Sequence, residues 1–513
     1  MKERIVSFVK GKDSIKRLLL GLFWMVEYIV NIWYVKRYFI VYNMNSDFAG
    51  DAVFAKHLSD TGHYIFSADW YPTTELYIVH HQLIMVPLFK LFKDYSTVWV
   101  MTSVIAFALM SACIFYFMSC FKSSFNKSLL AVILFLNPIT FFNLEYSVWF
   151  HGYLFYYCLS FIIIGNLCKY LAGDAISKKD VIIILITSFL AGVCGIRMFM
   201  IVFVPFVMAY IIFYYNEDIR KACNNLGKMM VASLMSAFIG FVVYYFGLVP
   251  RYGGDSVISG IKINSSEIVK DNLLLVPQMI INGLNINYSN TEINLYAILT
   301  SFTVLFWAVV FIYTIKMIFS QNEKLRFLAI LSASCILLNI LFMIMTIGNN
   351  TFVESSRYFL LSIFMQIPLF ALSIEIRQMQ KLKDYILSVV IVLSCLSMFL
   401  WCKNKIDTYG SETAVSWRQP YIDYLIDNGY NYGIATYWNA NVTIFLSNGN
   451  IQVAPVLDLQ NYSFFEWNTQ KSFKNRTPEF VLLSTDEYEN RKELGFEDTI
   501  LYEDSSVVII SYN

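Results

Sequence analysis

A chain of 513 residues that is 57% hydrophobic, 17% aromatic and only 15% charged falls well short of the roughly one-quarter charged content of a soluble domain. Mean hydropathy is +0.55, so the composition indicates a polytopic α-helical membrane protein. A net charge of +1 leaves no electrostatic footprint for nucleic acid. The nine cysteines lie in or beside apolar segments without a CxxC pair, which argues against a disulfide framework or a zinc site.

The N-terminal residues 1–17 are basic. The apolar segment after them is too long for a signal-peptide core and reads as a membrane anchor. A span needs about 20 mostly apolar residues, and about eleven candidates follow. They lie near 18–40, 97–119, 128–145, 149–171, 181–196, 198–215, 229–248, 294–316, 327–347, 358–376 and 385–402. The pair 181–196 and 198–215 could also be one long tilted helix. Charge placement favours two. With the N-terminus in the cytoplasm, the alternate turns carry Lys122 and Lys127, then Lys169, Lys178 and Lys179, then Arg220, Lys221 and Lys228. The next two carry Lys316, Lys324 and Arg326, then Arg377, Lys381 and Lys383. Each is short and basic, as the positive-inside rule requires, and merging the pair would put three of them outside. The predicted localisation is therefore a multi-pass cell-membrane protein with a transmembrane domain over 1–402.

On this topology all five histidines and the carboxylates Asp47, Asp51, Asp69, Glu75, Glu145, Asp255 and Glu354 fall on or near the outer face, with Arg197 and Arg357. Ionisable groups at membrane depth are expensive and usually functional. The first outer loop, 42–95, opens with NSDFAGDAVFAKHLSDTGHY. The spacing predicts a short helix from about 47 to 62. Its apolar residues Phe54, Leu58, Thr61 and Ile65 would let it lie flat on the membrane. Asp47 and Asp51 then share one face. The same pattern also describes an ordinary surface helix capped by Ser46 or Asp47. DWYPT at 69–73 breaks the chain, and LYIVHHQLIMVPLFKLF at 76–92 suits an interfacial or re-entrant helix. A second long outer loop, 249–293, contains RYGGD.

Glu75 follows a turn and could cap the helix after it. Glu145 sits between two spans in NLEYSVWFHG, where Tyr146 and Trp149 are typical interfacial anchors. One arginine at a helix end commonly snorkels, but Arg197 and Arg357 on the carboxylate side could together hold a phosphate. Glu27, deep in the first span, calls for a partner in the bundle. After Lys403 the composition turns polar. RQPYIDYLIDNG reads as a helix with a glycine stop, and YGIAT, IQVAPVL, EFVLLST and VVIISY read as strands. Residues 403–513 thus form a small extracytoplasmic α/β domain, in which Trp417, Trp438 and Trp467 are expected to pack in the core. No nucleotide-binding, zinc-protease or hydrolase-elbow motif is present.

The arrangement resembles the GT-C superfamily of membrane glycosyltransferases. Within it the likeness is greatest to the aminoarabinose–lipid A transferases and protein O-mannosyltransferases. DFAGDAVFAKHL resembles the family's D-E-x-x-x-A-x-x-A stretch, with Asp47 at the catalytic aspartate. Phe48 stands where the family has a second acid, so Asp51 competes with Asp47 for the role. ESSRYFLL resembles the RYLLP-like motif without its proline. The resemblance implies transfer of a sugar from a polyprenyl-phosphate donor to an extracytoplasmic glycan, lipid or protein, with inversion. Asp47 or Asp51 would be the base, Glu75 and Glu145 acidic support or metal ligands, and Arg197, Arg357, His80 and His81 donor-phosphate contacts. A divalent metal between Asp51, Glu75 and a histidine is compatible with the donor set but not required. Alternative readings are a flippase or carrier for polyprenyl-linked glycans and a non-catalytic cell-envelope assembly protein. Tyr-, Asn- and Ile-rich usage suggests a bacterial chain, for which a cell-wall polysaccharide or teichoic acid would be the acceptor.

Overall fold

A computed structural model describes residues 12–137, 145–172, 175–215, 225–253, 263–284, 295–374, 382–409 and 416–512. Arg220, Lys221, Asp255, Arg377 and Lys381, invoked above, lie outside these ranges. The chain forms two compact units, one of Met1–Asn31, Ala106–Tyr244 and Ile261–Asn404, the other of Ile32–Ile105, Tyr245–Gly260 and Lys405–Asn513.

The protein is a polytopic helical membrane protein. Seven helices among the described residues are long and apolar enough to cross a bilayer: Arg17–Asn43, Tyr95–Cys120, Ile196–Tyr214, Asn225–Tyr252, Thr300–Ile318, Glu323–Thr346 and Glu354–Ser373. Shorter apolar helices Phe125–Leu136 and Leu154–Lys169 occupy two further predicted spans, and Lys178–Gly192 and Leu382–Tyr409 two more. The ambiguous pair is divided: the chain breaks at Gly195, whose φ of +79° is open to glycine and strained for other residues.

In the first unit, Lys178–Gly192 and Asn225–Val242 pack with their backbones almost touching. A Cβ on Gly192 would fall 2.0 Å from the Ala237 carbonyl oxygen, and one on Gly240 would fall 2.3 Å from that of Phe189. Serines fill the seam: Ser188 and Ser233 hydroxyls lie 2.7 Å apart, and Ser236 donates to the Leu185 carbonyl at 2.6 Å. Small residues and interhelical hydroxyls are how helices associate where lipid removes the hydrophobic drive. Glu27 is fully buried in the same unit, with the Asn137 side chain beside its carboxyl.

The second unit joins the first loop to the C-terminal segment. Its elements are α1 (Ser46–Asp60), β1 (Trp70–Tyr71), α2 (Gln82–Leu91), α3 (Gln419–Asp427), β2 (Tyr432–Thr436), α4 (Tyr437–Leu446), β3 (Gln452–Val456), β4 (Thr469–Gln470), β5 (Phe480–Ser484), α5 (Thr485–Glu493), β6 (Ile500–Glu503) and β7 (Val507–Ser511). The main sheet has order β3-β2-β5-β7-β6, with β2 parallel to β3 and β5, and β7 antiparallel to β5 and β6. Its strands β2, β3, β5 and β7 are nearly continuously buried, as expected for a sheet covered on both faces. The predicted glycine stop is Gly429, at φ +76°.

α1 packs between α2 and α4. Leu58 is fully buried and Phe54 meets the Trp70 ring at 5.0 Å. Of the face expected against lipid, Leu58 is covered by protein, Phe54 and Ile65 are half-buried and Thr61 is exposed. β1 pairs antiparallel with β4, Trp70 opposite Gln470 and Tyr71 opposite Thr469. Asp69 extends the clamp: its carboxylate accepts from the Ser472 backbone N–H at 2.9 Å and hydroxyl at 3.0 Å. The tryptophans depart from expectation, since Trp438 is 59% and Trp417 43% exposed and Trp467 is half-buried. Trp417 lies just before α3, Trp438 in the first turn of α4 and Trp467 just before β4, all outside the strands of the main sheet.

Candidate active site

The site grows from the first turn of α1. Asn45, in extended conformation, caps the helix by accepting from the Phe48 N–H at 3.1 Å. The cap therefore falls one residue earlier than the surface-helix reading supposed. Ser46 and Asp47 are left for other partners. The Ser46 hydroxyl accepts from the Val442 N–H of α4 at 3.4 Å. Asp47, half-buried and favourably placed near the positive end of the helix, accepts from the Tyr437 hydroxyl at 2.6 Å.

One turn on, Asp51 is only 7% exposed. Burial, and then the charge of Asp47, push its carboxyl well above the usual carboxylate range. The His81 Nε2 stands 3.3 Å from Asp51 Oδ2. His80 joins them: one ligand atom from each of Asp51, His80 and His81 lies within 4.8 Å of the other two, and all three residues are buried. Their placement follows from the turn before α2, where Gln82 Nε2 donates to the Tyr77 carbonyl at 2.7 Å. The His80 ring lies parallel to that of Tyr77 at 4.1 Å. Two imidazoles and one carboxylate fit a borderline divalent ion such as zinc or manganese better than calcium or magnesium. Such an ion would also offset the buried negative charge. Glu75 is outside this group. It lines an adjoining cleft of about 20 Å³ with Asp51, Ser67, Trp70, Tyr252 and Asn468, room for about one water-sized ligand. His57 is engaged elsewhere, 2.8 Å from the Ser67 hydroxyl.

Glu145, Arg197 and Arg357 belong to the first unit. Both arginines lean on Tyr358, with guanidinium carbons 5.6 Å (Arg197) and 5.3 Å (Arg357) from its ring centroid. Arg197 also faces Tyr156 at 5.5 Å. Arg357 faces Tyr146 at 5.9 Å and donates to its hydroxyl at 3.4 Å. Glu145, buried, precedes Tyr146, which stacks on Tyr153 at 5.1 Å. Aromatic faces of this kind hold guanidinium planes in place. Two residues past Arg197 begins an apolar groove of about 330 Å³, lined by Phe199, Phe203, Val207, Met208, Ile211 and Leu234.

Sequence reasoning did not single out Tyr437, Asn468, Tyr153 or Tyr156, and read Tyr146 only as an interfacial anchor. Tyr437 opens the helix after a strand, a common site position in α/β segments, but nothing near it announces Asp47 as its partner.

No protein-family model and no curated protein sequence matches the chain. Solved structures do. The crystal structure of ArnT from Cupriavidus metallidurans bound to undecaprenyl phosphate aligns with TM-score 0.57 at 11% identity, over 96% of this chain and 98% of that one. The apo form of ArnT aligns with TM-score 0.58 at 11% identity, over 96% and 97%. The Archaeoglobus fulgidus oligosaccharyltransferase tethered to an acceptor peptide aligns with TM-score 0.49 at 10% identity, over 98% and 74%. At such identity the likeness to ArnT is one of fold, and it is the GT-C fold that the short motifs implied.

Proposed function

We propose that the protein is an inverting glycosyltransferase. It moves a sugar from a polyprenyl-phosphate donor to a hydroxyl of an extracytoplasmic glycan, lipid or protein. The observation that carries this reading is the fold shared, over nearly the whole of both chains, with a structure that holds undecaprenyl phosphate. The residues support it. Asp47 is the base: half-buried, it is open enough to meet an acceptor hydroxyl, and the bond to Tyr437 fixes its carboxylate. Asp51, buried against His81, is the weaker candidate.

In the reaction the acceptor oxygen bonds to the anomeric carbon as its proton passes to Asp47. The bond from that carbon to the phosphate oxygen breaks on the opposite face, and its electron pair leaves with the lipid phosphate. Base assistance of this kind typically contributes about 10²–10⁴-fold. The leaving phosphate needs charge compensation rather than a proton, which suits Arg197 and Arg357. The apolar groove beyond Arg197 offers a lateral berth for the first isoprene units. Asp51, His80 and His81 would hold a divalent ion, which when bound supplies Lewis-acid charge stabilisation. Glu75, which shares a cleft with Asp51, and Glu145, beside Tyr146, lend acidic support.

The test is release of undecaprenyl phosphate from a panel of undecaprenyl-phosphate hexoses by protein in nanodiscs. Envelope polysaccharide serves as acceptor. Wild type should release it and form product of inverted configuration, and Asp47→Asn should not. Release by Asp47→Asn at the wild-type rate would remove Asp47 as base, and transport of the donor without any release would favour a carrier.

A further inference from the structure

The base proposed above is held by the C-terminal segment, not by the loop that carries it. Tyr437 is the first residue of α4 and is 9% exposed. Its ring is gripped edge-on by Phe465 at 5.8 Å and 89°, and by Trp438 at 5.4 Å and 68°. Phe465 in turn stacks on Trp467, the ring planes nearly parallel at 4°. The phenol therefore has little freedom to swing, and its hydroxyl sits 2.6 Å from Asp47 Oδ1. Burial and the neighbouring Asp47 charge push the Tyr437 phenol far above its ordinary range, so it stays a donor at any working pH.

The rest of the contact keeps this pair in register. Ser46 accepts from the Val442 N–H, and the Asn441 amide donates to the Asn468 carbonyl at 3.0 Å. Gly50 lets α1 approach these asparagines, since a Cβ there would fall 2.0 Å from Asn468 Nδ2. A carboxylate in the first turn of a helix otherwise rotates freely about two side-chain bonds, or turns back to the helix N–H groups.

We infer that Tyr437 is a positioning residue of the transferase: its hydroxyl occupies Asp47 Oδ1 and thereby presents the other carboxylate oxygen to the acceptor hydroxyl. The C-terminal segment is on this account part of the catalytic centre. It acts on the orientation of the base and not on donor affinity. A base fixed by a single hydrogen bond should lose alignment, and with it about 10–100-fold in rate, when that bond is removed.

This inference rests on Asp47 being the base, and the experiment separates the two. Steady-state release of undecaprenyl phosphate from the undecaprenyl-phosphate hexose that turns over best is measured for wild type, Asp47→Asn, Tyr437→Phe and the double variant, in full-length protein in nanodiscs. The expected result is a kcat about 10–100-fold lower in Tyr437→Phe with donor KM within about two-fold of wild type. The double variant should be no slower than Asp47→Asn alone. Replacing Tyr437 by 3,5-difluorotyrosine, which keeps ring and donor, should restore most of kcat. If Asp47→Asn is inactive while Tyr437→Phe keeps wild-type kcat, Asp47 remains the base and the positioning role is overturned. A rise in KM at unchanged kcat, or a difluorotyrosine enzyme as slow as the phenylalanine variant, overturns it too. Full activity of Asp47→Asn removes both readings together.

Discussion

Substituting Gly50 by alanine probes how tightly α1 is seated. The new Cβ would meet Asn468 Nδ2 at 2.0 Å and Asn441 Nδ2 at 2.9 Å. Ordinary contact begins at about 3.5 Å, so α1 or the Asn468 side chain must shift by roughly 1.5 Å. Asn468 has little room to give way: it is 4% exposed, its backbone is in the left-handed region at φ 47°, and its carbonyl is bonded by Asn441. Overpacking of this kind costs about 1–3 kcal/mol, whereas alanine for glycine in a helix interior returns at most about 1 kcal/mol. The clash outweighs that return over most of the range, with net destabilisation of up to about 2 kcal/mol. Activity should fall further than stability, because a shift of about 1 Å breaks the 2.6 Å bond between Asp47 and Tyr437 and misplacement on that scale can cost about 10²-fold. The assay pairs kcat for undecaprenyl phosphate release with the thermal midpoint in nanodiscs. A Gly50→Ala protein with a raised midpoint and unchanged kcat would show that α1 has slack, and the reasoning would fail.

Three further outcomes are expected. Zinc or manganese should raise the thermal midpoint of wild type, by the equivalent of about 2.7 kcal/mol at 100-fold excess over Kd; Asp51→Asn and His81→Ala should lose this increment, and a metal response unchanged in both would assign the ion elsewhere. Arg357→Lys should weaken undecaprenyl phosphate binding about 10-fold despite keeping the charge, because lysine has neither the planar fork nor the stacking on Tyr358; direct titration measures this, and equal affinity would contradict it. Gly192→Leu should prevent stable assembly of the first unit, since its Cβ would collide with the Ala237 carbonyl; a monodisperse, fully active variant would refute the close packing.

Much of the scaffold could be read from local pattern. Gly429 punctuates where a helix had to end, charge placement divided the two helices that part at Gly195, and the buried strands β2, β3, β5 and β7 stand out as short apolar runs between turn residues. Asp47 and Asp51 were legible as a pair because one helical turn separates them. What escaped was everything set by distant partners. Tyr437 and Asp47 are 390 residues apart, and no periodicity reports such a contact. The resemblance offered His80 and His81 as phosphate contacts and one histidine as a metal ligand with Asp51 and Glu75, and the turn at Tyr77 folds both histidines onto Asp51. Hydrophobicity argued for buried tryptophans in the C-terminal segment, whereas Trp417 and Trp438 sit at positions the sheet core does not reach. Glu75 reads like its acidic neighbours but lies just outside the Asp–His–His group.

The pairing of β1 with β4 also bears on how the molecule is made. Trp70 and Tyr71 leave the ribosome about 400 residues before Gln470 and Thr469, with which they form their ladder. Until then the loop's strand has no partner and Asp47 no phenol. A chain truncated before α4 should therefore insert its helices yet display a loose, protease-sensitive first loop. The first loop would then mature only once the segment it pairs with has been made.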